Sequence, residues 1–335
     1  MVPLQFVRVT DEEGARIAHG IESASMALDH PGLPPEPIED ILGVLPNGTP
    51  TERVEFGLVY DDDVPVANTF VMLALKDNVH VANASVTVTP DARRRGIGRA
   101  AAEYVVSRAR AEERKVVVTF IGAPLGAAAP GDALATSMGA APALESIRRA
   151  LDLRALDDEM LEELRARSVA DKAHGYDVVQ WVDHAPEHLV DRAAEILPMV
   201  FADSPRGDLD FEDEIWDADR FRQYEATIAR RGRRLLATGA VDRASGRLVA
   251  YTEITVPLSQ PTAGGQWGTI VERDHRGHRL GMLVKIENLR QLRRACPEVV
   301  TVSTYNAAEN QHMIAVNEEL GFRAVERYHA WQLTL

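Results

Sequence analysis

Apolar and polar positions along the chain switch between two periodicities, and the switches repeat. Phe6-Val7-Arg8-Val9 alternates as a strand, and Thr10 and Asp11 then cap a helix over Glu12–Met26 whose apolar residues fall at helical spacing. His30–Thr51 is rich in Pro and Gly and predicts loop, with one short helix around Ile38–Leu42. Three strand-like runs follow, Val54–Tyr60, Val66–Leu73 and His80–Val88. A turn rich in Arg and Gly then leads into a helix over Gly98–Glu113, and the β-branched run Lys115–Phe120 predicts a buried parallel strand. The second half repeats the order. It has a strand at Tyr176–Trp181, helices from Pro186 to Leu197 and over Asp219–Arg231, and strands at Arg234–Val241, Arg247–Val256 and Gln266–Val271. An Arg/Gly turn, a helix and the β-branched run Glu298–Tyr305 close it. Each half reads β-α-α-β-β-β-α-β, an α/β unit with a mixed sheet. The predicted division is a first domain over 1–155, a surface linker helix over 156–175, and a second domain over 176–335.

One element is written twice. Val86-Thr87-Val88-Thr89-Pro90-Asp91-Ala92-Arg93-Arg94-Arg95-Gly96-Ile97-Gly98-Arg99 recurs, from Val86 to Thr269 an offset of 183, as Thr269-Ile270-Val271-Glu272-Arg273-Asp274-His275-Arg276-Gly277-His278-Arg279-Leu280-Gly281-Met282. Both copies pass from an apolar strand through the turn into an apolar helix. The unpaired N–H groups at such a helix start, reinforced by Arg, suit a phosphate or pyrophosphate.

Composition narrows the picture. With 335 residues, 45% hydrophobic and 26% charged, the chain has the make-up of a globular protein of two ordinary domains. No apolar run approaches the roughly 20 residues that span a bilayer, and the N-terminus lacks the basic and apolar regions of a signal peptide. A single cysteine, Cys296, forms no internal disulfide and predicts a structural thiol in a reducing cytoplasm. The net charge of −14 argues against a nucleic-acid partner and is compatible with a cationic small substrate. His275, His278 and His312 lack ligand spacing on one helix, so no metal site is expected.

Gly96-Ile97-Gly98-Arg99-Ala100-Ala101 fits a dinucleotide fingerprint in letters only. Pro90 and three arginines separate it from its strand, and no acidic residue follows about 20 positions on. The whole pattern instead resembles the acyl-CoA pyrophosphate loop of the GNAT N-acetyltransferase superfamily, Gln/Arg-x-x-Gly-x-Gly/Ala. Arg93, Gly96 and Gly98 meet it in full; in the second copy Arg276, Arg279 and Gly281 fall on its fixed positions, with Arg for the first glycine. Asn310-Gln311-His312-Met313-Ile314-Ala315-Val316-Asn317-Glu318-Glu319-Leu320-Gly321-Phe322 is similar to the superfamily's Asn-x-x-Ala-x-x-x-Tyr-x-x-x-Gly-Phe segment, with Met313 for Ala and Asn317 for Tyr. The resemblance covers nearly the whole chain as two tandem GNAT domains and looks like the bacterial tandem group that includes mycothiol synthase.

The resemblance implies acyl transfer, with acetyl-CoA as acyl donor and a small-molecule amine as acceptor. It implies that Arg93, Arg94, Arg95, Gly96, Ile97, Gly98 and Arg99, or Arg276, Gly277, His278, Arg279, Leu280 and Gly281, hold the pyrophosphate. It further implies that the strands ending at Val88 and Val271 run beside the pantetheine, that an N–H near Val271 is the oxyanion donor, and that Asn310 and Asn317 belong to the cofactor segment. A base is needed because an alkylammonium is protonated at neutral pH. Glu253 is the candidate: it interrupts the apolar strand Val249–Val256, where a covered carboxylate has a raised pKa. The corresponding Thr69–Leu73 offers no carboxylate, which favours the second half as catalyst. Asn317 stands where the superfamily has its usual acid, with Tyr305 a conceivable substitute. The acid-rich stretch Asp203–Asp219 falls where GNAT enzymes place an acceptor lid, which predicts attraction of a cationic acceptor. The alternative is a non-catalytic CoA-binding scaffold, and either reading suits a monomer, pseudo-dimeric through its tandem halves, or a homodimer.

Overall fold

The computed structural model describes residues 4–335, which form two compact units. Unit 1 holds the residues up to Ser146 together with Arg206–Glu212 and Glu326–Leu335; unit 2 holds Ile147–Pro205 and Asp213–Val325. The first stretch of chain forms β1 (Gln5–Val9), α1 (Glu12–Asp29), α2 (Glu39–Leu42), β2 (Glu52–Asp61), β3 (Val64–Ala74), β4 (Val81–Val88), α3 (Ile97–Ala111), β5 (Val116–Pro124), α4 (Asp132–Ser137) and β6 (Ala141–Asp152). The second forms α5 (Asp158–Asp171), β7 (Tyr176–Val182), α6 (Glu187–Ile196), α7 (Met199–Ala202), α8 (Ala218–Arg230), β8 (Arg233–Asp242), β9 (Leu248–Pro257) and β10 (Ala263–Val271). It ends with α9 (Leu280–Ala295), β11 (Thr301–Ala307), α10 (Gln311–Glu319) and β12 (Arg323–Thr334). Among the described residues no helix is long and apolar enough to cross a membrane.

Both units are mixed sheets covered by helices. In unit 1 the strand order is β1-β2-β3-β4-β5-β12, and in unit 2 it is β7-β8-β9-β10-β11-β6. The final position in each sheet is thus filled by a strand from the other end of the chain: β12 pairs with β5 from Glu326↔Pro124 to Thr334↔Val116, while β6 from Ile147 onward lies in unit 2. Helix α5, expected as a surface linker, is part of unit 2. Its Leu161 and Leu164 are buried with Leu289 and Leu292 of α9, and Arg293 and Arg290 of α9 pair with its Asp158 and Glu162. Apolar residues three apart put one stripe of an otherwise charged helix into the core.

One feature of the register positions the site. The parallel pair β4·β5 holds for Val81–Asn83 against Val116–Val118, and β10·β11 for Ala263–Gly265 against Thr301–Ser303. Beyond those residues each pair parts, although all four strands continue, and the parted ends lead to the Arg/Gly turns. In unit 2 the neighbour on the other side, β9, is buried along its entire length, so a carboxylate there is removed from water on both faces.

Candidate active site

The two Arg/Gly turns have one backbone. Each opens with a single 3-10 turn, Pro90–Ala92 or Arg273–His275, and continues through Arg93 (φ −65, ψ 160) or Arg276 (φ −68, ψ 159). Two left-handed residues follow at alternate positions: Arg94 (φ 63) and Gly96 (φ 85) in unit 1, Gly277 (φ 76) and Arg279 (φ 57) in unit 2. Helices α3 and α9 then start without a capping side chain, whereas α1, α5, α8 and α10 are capped by Asp11, Asp157, Asp217 and Asn310. The first helical bonds are donated by the N–H groups of Ala100 and Leu283, to the Gly96 and Arg279 carbonyls. The N–H groups of Ile97, Gly98 and Arg99, and of Leu280, Gly281 and Met282, therefore precede any intrahelical acceptor. A Cβ built on Gly96 or Gly277 meets nothing within 4 Å, so the concavity is open to a ligand. Alternating left-handed residues beside an uncapped helix start form an anion cradle, and the residues present fit a diphosphate.

The first arginine of each motif braces the turn. Arg93 donates from Nε to the Val88 carbonyl (3.2 Å) and from its two terminal nitrogens to Asp29 (2.8 and 2.6 Å), with Ser25 at 2.7 Å. Arg276 donates from Nε to the Val271 carbonyl (3.1 Å) and from Nη2 to Asp203 (2.5 Å), which also takes Arg273 at 2.6 Å. Burial would raise the Asp29 carboxyl, but hydrogen bonds from Arg93 and Ser25 outweigh it and hold it below the ordinary value. Arg95 pairs with Asp61 and Arg99 bonds to Ser137. His278 donates from Nδ1 to the His275 carbonyl, and its ring helps line a cavity of about 300 Å³ with Lys172, His174, Gly175, Tyr176 and Asp242. That cavity flanks the turn, and Glu253 does not line it.

Strand β10 supplies the next part. Glu272 N–H donates to the Val249 carbonyl, so by alternation the Val271 N–H points away from β9, to the side where β11 has parted; Thr89 and Val66 place Val88 likewise in unit 1. The β9·β10 register then slips by one residue: Gln266 faces Ile254 and Thr269 faces Thr252, leaving Trp267 and Gly268 together opposite Glu253. This is a β-bulge. A Cβ on Gly268 would lie 2.5 Å from Val200, so only glycine allows α7 to pack against it. Unit 1 has no such bulge: β3·β4 keeps an unbroken register from Ala67↔Val88 to Leu73↔Ala82, and Phe70 holds the place of Glu253.

Glu253 is 1% exposed and accepts short hydrogen bonds from the Tyr224 and Tyr251 hydroxyls. Burial raises its pKa against the opposing effect of the two hydroxyls, and nearby Glu225 raises it further. Burial likewise pushes both tyrosines well above their usual values. The strand pattern exposed Glu253; its tyrosines were missed because Tyr251 is two residues along the same face and Tyr224 comes from α8. Unit 1 does hold a half-buried carboxylate, Glu22 of α1, accepting from Asn68 (2.7 Å) and raised by burial. It lies on α1, not on β3, the strand that corresponds to β9.

The remaining expected residues fall elsewhere. Asn310 caps α10 by accepting from the Met313 N–H at 3.2 Å. Asn317 is fully buried and donates to Asn306 (2.7 Å), while its Oδ1 has no hydrogen-bond partner. Tyr305 is half exposed on β11. The acid-rich stretch is not one lid. Asp203 is neutralised by Arg273 and Arg276, and Glu214 by Arg220. Residues Arg206–Glu212 belong to unit 1, where Leu209 and Phe211 pack with Val81, Val116 and Val118, and Asn78, His80 and Gln332 bond the backbone of 208–212.

No protein-family model and no curated protein matches the sequence. Among solved structures the chain is similar to a tandem GNAT protein from the clavulanic acid biosynthesis pathway, at 29% identity over 99% of this chain and 98% of that one, with a TM-score of 0.81. It shares its fold with a GCN5-related N-acetyltransferase from Sphaerobacter thermophilus (15% identity, 100% and 97% covered, TM-score 0.66). It shares it also with one from Kribbella flavida (13% identity, 98% and 70% covered, TM-score 0.52). With two copies of the turn, two parted strand pairs and this likeness over its full length, the chain has the fold of a tandem GNAT protein.

Proposed function

We propose that the protein transfers the acetyl group of acetyl-CoA to the amine of a small molecule, and that unit 2 carries the reaction. The superfamily supports acyl transfer from CoA in general. The observation that carries the finer reading is the coincidence of the β10 bulge with Glu253. In this reading the N–H groups of 277–282 hold the diphosphate, and the outward N–H groups of Thr269 and Val271 bind along the pantetheine. The thioester supplies an activated acyl carbon. The backbone freed by the bulge at Trp267–Gly268 is the oxyanion donor, two pleats further from the turn than Val271. Glu253 takes the proton of the acceptor ammonium. Tyr224, the less enclosed of its two tyrosines, relays it, since its hydroxyl donates to Glu253 and has lone pairs for the ammonium. The acceptor is a primary amine, cationic until that transfer. Unit 1, with the same turn and slot but Phe70 and an unbroken ladder, binds acetyl-CoA without turning it over.

Release of free thiol from acetyl-CoA in the presence of a panel of small amines tests the proposal. Amine-dependent release that Glu253→Gln abolishes supports it. Calorimetric binding of CoA without any release would make the chain a CoA-binding scaffold, and absence of binding would remove the reading of the turns.

A further inference from the structure

Behind the bulge, on the face of β9 opposite Glu253, lies a chain of polar side chains in an otherwise apolar interior. Thr252, Gln266 and Lys285 are each at most 3% exposed. Lys285 Nζ donates to Gln266 Oε1 at 2.6 Å, and Gln266 Nε2 donates to Thr252 Oγ1 at 3.2 Å. The Thr252 hydroxyl donates to the Gly268 carbonyl at 3.1 Å and lies 2.8 Å from Thr269 Oγ1. The directions agree: the hydroxyl gives its single proton to Gly268 and accepts from Gln266 and Thr269. Gln266 precedes the bulge, Gly268 is within it, Thr269 follows it, and Thr252 stands across from it. The Lys285 ammonium lies 5.4 Å from the Phe322 ring.

Burying so many polar groups under α9 costs stability unless each is satisfied, and a chain this complete fixes one backbone geometry. Unit 1 is an internal control. There the positions of Thr252, Gln266, Thr269 and Lys285 are held by Thr69, Ala84, Val86 and Ala102, β4 has 8 residues where β10 has 9, and the ladder runs unbroken. The polar chain and the bulge occur together or not at all.

We propose that Lys285, Gln266 and Thr252 are positioning residues that clamp the β10 bulge from the α9 side and so set Trp267 and Gly268 against Glu253. The catalytic consequence rests on acyl transfer in unit 2, as proposed above; the clamp itself does not. Either protonation state of Lys285 keeps an N–H for Gln266, so the clamp holds on both sides of neutrality.

The test uses the full chain with Thr252→Val, Thr252→Ser and Lys285→Met. Amide hydrogen exchange of peptides spanning 264–271 is the first readout. Thr252→Val is expected to speed exchange there by about 10-fold or more while β8 is unaffected, and Thr252→Ser, which keeps the hydroxyl, to restore protection. The second readout is steady-state kinetics: kcat falls by about 10- to 100-fold in Thr252→Val and Lys285→Met, with KM for acetyl-CoA within about twofold. A residue that merely supported the fold would instead lower the folded fraction, leaving kcat per folded molecule intact. Unchanged exchange at 264–271 in both Thr252→Val and Lys285→Met overturns the clamp. If the wild type turns over no amine yet exchange rises in Thr252→Val, the clamp stands and the acyl-transfer reading falls. Should Thr252→Val not fold, Lys285→Met removes the other end of the chain and is read in the same way.

Discussion

Replacing Lys285 with Met is expected to make unit 2 more stable at pH 6 and less stable at pH 10. Burial lowers the Lys285 pKa from 10.5 to about 7, because the ammonium loses its hydration in the core. At about 1.4 kcal/mol per pH unit, folding with the charge in place carries a penalty on the order of 5 kcal/mol. The folded pKa lies below the unfolded one, so between about pH 7 and 10.5 the unfolded chain binds more protons, and stability rises with pH. Below pH 7 both states are protonated and the penalty is complete. Methionine removes it but leaves Gln266 Oε1 without its donor, a loss of about 1–3 kcal/mol at any pH. The difference is a gain of roughly 2–4 kcal/mol at pH 6, a loss of about 1 kcal/mol at pH 10, and a crossing near pH 9. Urea unfolding across this range, followed by the fluorescence of Trp181, Trp216 and Trp267 in unit 2, measures it, and every other titration cancels between the two proteins. A variant less stable than the wild type by the same amount at pH 6 and pH 10 would refute the reasoning, since it would mean that the lysine is held without electrostatic cost. Combined with the kinetic test above, the same substitution trades activity for stability.

Glu253→Gln is expected to lower kcat by about 10²- to 10⁴-fold with CoA affinity unchanged. In the wild type, kcat/KM rises with pH along a limb above the ordinary carboxylate range, because the burial-raised group must lose its proton to act; a limb at the ordinary value, or one that persists in the variant, disconnects the base from this residue. Gly277→Ala and Gly96→Ala place a Cβ in open space but at φ 76 and 85, so each costs about 1 kcal/mol of local strain. Calorimetry should show each weakening one CoA site several-fold, and full affinity in Gly277→Ala would remove the unit 2 turn from the binding site. Gly268→Ala drives a methyl into Val200 and should depress kcat more than about 10-fold, with recovery in the double variant Gly268→Ala/Val200→Ala; absence of recovery would show that the contact with α7 is not what sets the bulge.

The duplication made much of this legible. Strands, helices and both turns follow from periodicity because each half has a strong amphipathic pattern, and Glu253 stands out as the one carboxylate in an apolar run. Strands β6 and β12 escaped the sequence reading, although Ala141–Asp152 and Arg323–Thr334 are each 12 residues long. Their polar content is high because they carry residues such as Arg148 and Glu326 into buried positions, and pattern alone discounts a buried charge. Nothing local to either strand says which sheet it joins. The acid-rich stretch misled for a related reason: charge density is visible in sequence, but the partners that neutralise Asp203 and Glu214, and the unit that takes up 206–212, are set by tertiary contacts. The bulge left no trace, because the offset of 183 between the halves holds both from Thr69 to Thr252 and from Val86 to Thr269; its extra residue appears only in the structure, where β10 is one residue longer than β4.

In the second copy Arg279 replaces the first motif glycine, and the dihedrals show that the backbone of the turn is kept. The two left-handed positions are occupied in unit 1 by Arg94 and Gly96 and in unit 2 by Gly277 and Arg279, so each turn holds one glycine and one arginine and only their order differs. An arginine at φ near +60 costs about 1 kcal/mol or more relative to glycine, and each turn carries that cost once. Drift with no functional constraint would have no reason to keep φ and ψ at the flanking residues within a few degrees, as Arg93 and Arg276 do. What has been kept is the direction of the N–H groups, and the strain is tolerated because Arg93 and Arg276 tie the turn to a strand carbonyl and to Asp29 or Asp203. In unit 2 the exchange puts an arginine, Arg279, at the N-cap of α9, where unit 1 has Gly96 before α3. The second turn therefore repeats the backbone of the first with its glycine and arginine exchanged, and the difference between the units lies further along, at the bulge.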